Sequence, residues 1–180
     1  MNLTEKEIDE LVVEAQNGGK NAVGELYDFF LEPIYRFLFF RVSTTAEAED
    51  LTEEVFLKMI KNISKYKKRE KMPFSAWLFR IAKNALIDFY RKKVEIDEIP
   101  ENLADQKSAA DEKTETKINH ARLLTAMKKL PKSQSEAIIL RFFSDRKNAE
   151  IAAILGKSET AVRILQSRGL KKLKEILGKK

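Results

Sequence analysis

Three clusters of side chains carry the chemistry this sequence could perform. In the stretch 148–171, Thr160, Arg163, Ile164, Ser167, Arg168 and Lys171 recur at helical spacing and fall on one side of a helix. Arginine pairs with guanine, serine and threonine bond base edges or phosphate, and isoleucine can meet a thymine methyl. In the stretch 64–91, Lys65, Lys67, Lys68, Arg69 and Lys71 make a short basic loop with Tyr66 among them. Arg80, Lys83, Asn84, Ile87 and Arg91 follow, opposite an apolar stripe of Phe74, Trp77, Ile81 and Phe89. Such a platform suits single-stranded or partly opened nucleic acid. Tyr66 lies outside any apolar stripe and is the candidate for stacking on a base. Trp77, in register with Phe74 and Ile81, reads as core. The third cluster is acidic: Asp50, Glu53 and Glu54 beside Leu51, Val55 and Phe56. That mixed face fits a basic partner helix, and equally a solvated surface.

Other chemistry is excluded by composition. Cysteine is absent and His120 is the one histidine, so neither a His/Cys zinc site nor a His-based triad can be built. The six glycines, at 18, 19, 24, 156, 169 and 178, permit no phosphate loop and no dinucleotide fingerprint. No cofactor or metal is expected, and the enzyme class is disfavoured. Residues 1–20 hold five acids and no uninterrupted apolar run, unlike a signal peptide. The most apolar stretch, Phe29–Val42, is broken by Glu32 and Arg36 and is too short to span a bilayer. The expected location is the cytoplasm, without membrane insertion.

The elements that must position these clusters are helices. Gly and Pro together number 10 of 180 residues, about half the usual share. Net charge is +6, distributed in blocks. Residues 58–94 hold 12 basic against 2 acidic side chains, and 116–180 hold 16 against 5. Residues 1–57 hold 4 against 13, and 95–115 hold 2 against 8. Two basic blocks point to a polyanion partner. Fourteen of the sixteen aromatic residues precede position 94, so the two halves need different cores. The predicted fold is all-α: a helical domain over 1–93, a flexible acidic linker over 94–113, and a second helical domain over 114–180 with a helix-turn-helix. The linker composition cannot bury enough apolar surface to offset ordering entropy.

Capping boxes at Thr4-x-x-Glu7 and Ser133-x-x-Glu136 open a first and a sixth helix. A second helix runs from about 21 to 42 with Pro33 kinking or splitting it. A third runs from Thr44 or Thr45 to about 62, a fourth from Pro73 to about 92, and a fifth over about 114–130. Asn148 caps a short seventh helix, Gly156 is the left-handed turn residue, and Ser158 caps an eighth. Asn148–Leu170 thus fits a helix-turn-helix, although a plain helical hairpin has the same outline.

One family shares this order. Ala48-Glu49-Asp50-Leu51-x-x-Glu54-Val55-Phe56-Leu57 is followed by the basic loop, then Phe74-x-x-Trp77-Leu78-Phe79-x-Ile81-Ala82-x-Asn84-x-x-Ile87-Asp88. After the acidic linker come Leu130-Pro131, Leu140-Arg141 and Glu150-Ile151-Ala152-x-x-Leu155-Gly156-x-Ser158. The chain resembles the bacterial sigma-70 family, in particular its two-domain extracytoplasmic-function group. The resemblance implies an initiation subunit of RNA polymerase. By position, Asp50, Glu53, Glu54 and Phe56 belong to the helix that docks on the coiled coil of the largest core subunit. Tyr66, Lys67, Lys68 and Arg69 belong to the loop that captures a flipped base, and Arg80, Lys83 and Asn84 to the surface for the melted −10 element. Thr160, Arg163, Ile164, Ser167, Arg168 and Lys171 face the duplex −35 element. The linker matches the segment that threads the polymerase cleft, and an anti-sigma factor is a further partner the resemblance allows. Three positions depart from the family pattern: Glu53 replaces Gln, Thr160-Ala161 replaces Gly-Thr, and Ile164 replaces Ser or Lys. The competing reading is a helix-turn-helix regulator with a helical sensing domain, which leaves the basic block at 64–93 unexplained.

Overall fold

Local signals set the first and third helices. Thr4 and Thr44 each cap a helix, accepting from the backbone N–H of Glu7 at 3.3 Å and of Glu47 at 3.2 Å. The glutamates bond back to the cap N–H groups at 2.7 and 3.0 Å. Each such box stabilises its helix by about 1 kcal/mol. A computed structural model describes residues 3–68, 72–97 and 115–178. Within them α1 spans Glu5–Gln16, α2 Lys20–Phe39, α3 Thr45–Asn62 and α4 Phe74–Asp97. A single 3₁₀ turn, Ile63–Lys65, follows α3. The second half holds α5 (Glu115–Lys128), α6 (Lys132–Ile138), a wide π turn (Ile139–Phe143), α7 (Asn148–Leu155) and α8 (Glu159–Gly178).

Pro33 neither splits nor ends α2, which runs unbroken through it. Its apolar face explains why: Leu26, Phe30, Ile34, Phe37 and Leu38 are all fully buried. Their burial is worth roughly 1.5–3 kcal/mol apiece, which outweighs the ~3 kcal/mol of an internal proline. Phe30 packs on Phe74 at 5.7 Å and Phe37 edge-on to Phe79 at 5.6 Å, so α2 and α4 share one aromatic core. The second half is aliphatic, with Met127, Ile138, Ile139, Ile151 and Val162 buried. Gly169 lets α8 approach α6: a Cβ there would stand 2.6 Å from Ile138 Cδ1 and 3.3 Å from Gln134 Cβ.

Ser133 and Glu136 do not form the predicted capping box. Pro131 occupies the cap, its carbonyl accepting from Gln134 and Ser135 at 2.9 and 3.0 Å. Glu136 is instead buried against the first half, where Arg41 Nη1 lies 3.2 Å from its carboxylate. The helical halves therefore touch. Phe40 and Phe143 meet with ring centroids 4.1 Å apart, and the Ser144 hydroxyl donates to the Pro33 carbonyl at 3.0 Å. Helix α4 runs on to Asp97, into the predicted linker; residues 98–113 of that linker, and with them its expected mobility, lie outside the described residues.

Candidate nucleic-acid and docking surfaces

The turn between α7 and α8 is built as the sequence requires. Gly156 takes φ 65° and ψ 41°, a left-handed conformation that glycine reaches at no steric cost. The Ser158 hydroxyl accepts from the Ala161 N–H at 3.2 Å and caps α8. Asn148 is the first residue of α7 rather than its cap, and its side chain accepts from Gln166 Nε2 at 3.0 Å, tying the two helices together. Ile151, Ile154 and Val162 are buried between them. This orientation leaves Thr160, Arg163, Ile164, Ser167, Arg168 and Lys171 all exposed along one stripe of α8. Arg163 makes only a solvent-exposed 3.4 Å pair with Glu159, which a nucleic acid can displace at little cost.

In the first half, the platform is a groove rather than a loop. Lys58 and Asn62 from the end of α3 and Lys65 from the 3₁₀ turn after it face Trp77, Ile81, Asn84 and Asp88 from α4 across a cavity of about 400 Å³. The lining offers two ammonium groups, that of Lys58 already paired with Glu54, two amides, the Asp88 carboxylate and a half-buried indole, a mixture that can hold an unpaired base beside its phosphate. Arg80 is exposed beside it, with Nη1 3.4 Å from Met72 Sδ. Lys83 is turned toward the second half, its Nζ 3.9 Å from Glu136. Sequence reasoning missed Lys58 and Asn62, because their membership depends on how α3 crosses α4. It read Trp77 as core, and the ring is indeed half-buried, but one edge lines the groove.

Tyr66 is placed differently from the expectation. It is 7% exposed, its ring 5.4 Å from Phe74 and 5.2 Å from Trp77, and its hydroxyl donates to the Met72 carbonyl at 3.2 Å. Burial, with the carboxylates of Asp9 and Glu5 nearby, pushes its hydroxyl up to about 12. A ring so enclosed packs the core and offers no face to a base. Its carbonyl and that of Ile63 accept from Gln16 Nε2 at 2.7 and 2.9 Å, so α1 braces this corner. Lys67 is exposed; Lys68 is exposed and paired with Asp9, whose hydrogen bond and charge hold its ammonium above the usual range. Arg69 lies outside the described residues.

On α3, Glu49, Asp50, Glu53, Leu57 and Ile60 are exposed in one helical stripe. Glu54 is half-buried and pairs with Lys58 at 2.5 Å. Phe56 points inward, 3% exposed and 4.6 Å from the Tyr27 ring, so it supports the helix and cannot touch a partner. Leu57, at 56% exposure, and Ile60, at 50%, are the apolar side chains that α3 presents on this face. The period of 3.6 places residue 57 with 50 and 53, which was the signal available in sequence.

A larger cleft, about 1180 Å³, opens between the halves. Among its lining charges Asp9 is paired with Lys68, Glu32 with Arg36 and Glu150 with Arg146. No helix among the described residues is long and apolar enough to cross a membrane.

Comparison with known proteins gives these surfaces a common frame. The family description Sigma-70 region 2 matches residues 26–95, and Sigma-70, region 4 matches residues 120–173. The groove and the α3 stripe fall in the first match and the helix-turn-helix in the second. The ECF RNA polymerase sigma factor BldN of Streptomyces coelicolor is 35% identical over 93% of this chain and 65% of its own length. SigX of Bacillus subtilis, also an ECF RNA polymerase sigma factor, is 30% identical over 83% of this chain and 80% of its own. The structure of CnrH in complex with the cytosolic domain of CnrY shares the fold, with a TM-score of 0.68 over 93% of this chain and 95% of that one, at 24% identity. Sigma factor RpoE, solved with the anti-sigma factor NepR from Bartonella quintana, shares it at a TM-score of 0.66 over 87% and 96% of the two chains and 22% identity. With two family regions in order and relatives at 30% identity or more along most of its length, the chain belongs to the sigma-70 family of transcription initiation factors, in its extracytoplasmic-function group.

Proposed function

We propose that the chain directs RNA polymerase core to promoters by three surfaces. The exposed stripe of α8 reads the −35 element as duplex. The groove between α3 and α4, with Arg80, Lys83 and Asn84, holds the melted −10 strand. The stripe Asp50, Glu53, Leu57 and Ile60 docks on the coiled coil of the largest core subunit. The observation that carries this reading is the pairing of an unobstructed helix-turn-helix face with a separate groove of about 400 Å³ lined by Lys58, Lys65, Asn62, Asn84 and Trp77. The first suits a closed duplex and the second an opened strand. The role is one of binding and strand capture, without a catalytic step, and it is exercised in the cytoplasm where polymerase works. An anti-sigma factor is a third partner in this reading, in line with the Bartonella complex.

The test uses holoenzyme reconstituted with core. Arg163→Ala and Arg168→Ala are expected to weaken binding to a duplex −35 fragment by ~1–3 kcal/mol each where the arginine contacts a base edge. They leave capture of a pre-melted −10 strand within a few tenths of a kcal/mol. Asn84→Ala and Lys58→Gln do the reverse. Loss of duplex −35 binding in Asn84→Ala, or loss of strand capture in Arg163→Ala, overturns the division.

A further inference from the structure

We infer that the two halves close on each other through a charged latch, in which Glu136 stands where a strand phosphate would bind and holds Lys83 away from nucleic acid. Glu136 belongs to α6, in the second half, and its side chain is 6% exposed. The two cations that face it both come from the first half. Arg41, just past the end of α2, lies 3.2 Å from one carboxylate oxygen, and Lys83, on α4, lies 3.9 Å from the other. Lys83 is one of the cations of the −10 surface, so an internal anion occupies a group that the opened strand needs.

The surrounding contacts seat the latch. The Arg146 guanidinium enters between Phe30 and Phe79, 5.8 Å from each centroid, and is 8% exposed. It bonds the Ser144 carbonyl at 2.7 Å and Glu150 at 3.3 Å, while Glu150 accepts from the Ser75 hydroxyl. These contacts are specific yet releasable. Arg41 Nη1 and Glu136 Oε1 are close but out of line, and neither has a directed hydrogen-bond partner. Burying such a pair costs nearly what its attraction returns. A phosphate that takes over Lys83 removes part of that attraction and tips the balance. The α8 stripe and the α3 stripe are exposed in the same closed form. The latch thus withholds one surface of the three.

The inference rests on Lys83 being a −10 residue, and the experiment separates the two statements. The chain lacks cysteine, so Glu25→Cys and Lys174→Cys, both at exposed helical positions, accept a dye pair cleanly. In the full chain, Glu136→Gln is expected to lower energy transfer between the dyes and to tighten binding of a labelled oligothymidylate roughly three- to tenfold. That gain corresponds to an open fraction of about a tenth to a third in the parent chain. Arg41→Gln acts on the same latch from the other half and produces the same change if Glu136→Gln impairs folding of the second half. Adding Lys83→Gln to Glu136→Gln removes the gain in binding and leaves the dyes apart. Unchanged transfer in both single variants overturns the latch. A fall in transfer without tighter binding overturns the masking of Lys83. A gain that survives Lys83→Gln overturns the placing of Lys83 on the strand surface.

Discussion

Tyr66 shows how much a single side chain's surroundings decide. In the sequence it stands amid lysines; in the fold its ring closes the Phe74–Trp77 corner and its hydroxyl bridges to Met72. Tyr66→Phe keeps the ring and loses one hydrogen bond, so a stability loss of about 1 kcal/mol is expected in denaturant unfolding. Tyr66→Ala opens a cavity and is expected to cost ~3–5 kcal/mol. If Tyr66→Ala instead leaves stability intact and removes only strand capture, the ring is a stacking surface after all. Glu47 gives a residue-scale prediction in pH. Burial raises its carboxyl, but the Lys93 ammonium and the N–H groups of Ser43 and Thr44 outweigh burial, and the net shift is downward. A depressed acid contributes stability that is complete above its ordinary value of 4.5 and is lost as pH falls through the lower folded value. Glu47→Gln is therefore expected to flatten the acid limb of the stability curve below about pH 4.5, as followed by circular dichroism at stepped pH. A parallel curve in the variant would show that Glu47 is not the group responsible.

At the scale of elements, what was legible was whatever depends on near neighbours in the chain. The box at Thr4, the left-handed Gly156 and the Ser158 cap follow from residues within three or four positions, and all three form. The exposed face of α8 was equally legible, since Val162 pointing inward fixes its opposite side by period alone. Readings that needed a tertiary partner failed. Ser133-x-x-Glu136 has the letters of a capping box, but Arg41, 95 positions earlier, claims the glutamate. Pro33 has the signature of a break, but α2 runs on through it, packed against the aromatic core of α4 on either side. Phe56 matched a docking motif by position, yet the helical phase turns Leu57 outward. Gly169 was legible only as a helix-weakening residue; the crossing of α6 makes it necessary. Gly169→Leu is expected to destabilise the second half by more than ~2 kcal/mol, because Ile138 is buried and has little room to yield. Thermal unfolding checks this, and a higher melting temperature, as helix propensity alone would give, would refute the close approach.

At the scale of the whole molecule, the two halves present their surfaces on different terms. The α3 stripe is exposed and takes no part in the ion pairs of the latch, so the docking proposed for it requires no opening of the chain. Its composition divides the labour along the helix: Asp50 and Glu53 toward the first turns, Leu57 and Ile60 toward the last. Charge governs how fast and in what register such a face meets a basic partner, whereas desolvated apolar side chains govern how slowly it leaves. Two double variants should therefore fail in different ways. Asp50→Lys with Glu53→Lys is expected to slow association with core and to abolish the dependence of that rate on salt. Leu57→Ala with Ile60→Ala is expected to leave the association rate within a few-fold and to raise the dissociation rate by about one and a half to three decades, from ~1–2 kcal/mol of lost burial per side chain. Stopped-flow binding of labelled chain to core at two ionic strengths reads both. Both variants keep their grip on a duplex −35 fragment, because α8 shares no residue with α3. Equal losses in association and dissociation from the two variants would mean that the stripe acts as a single apolar patch and that its carboxylates are solvated bystanders.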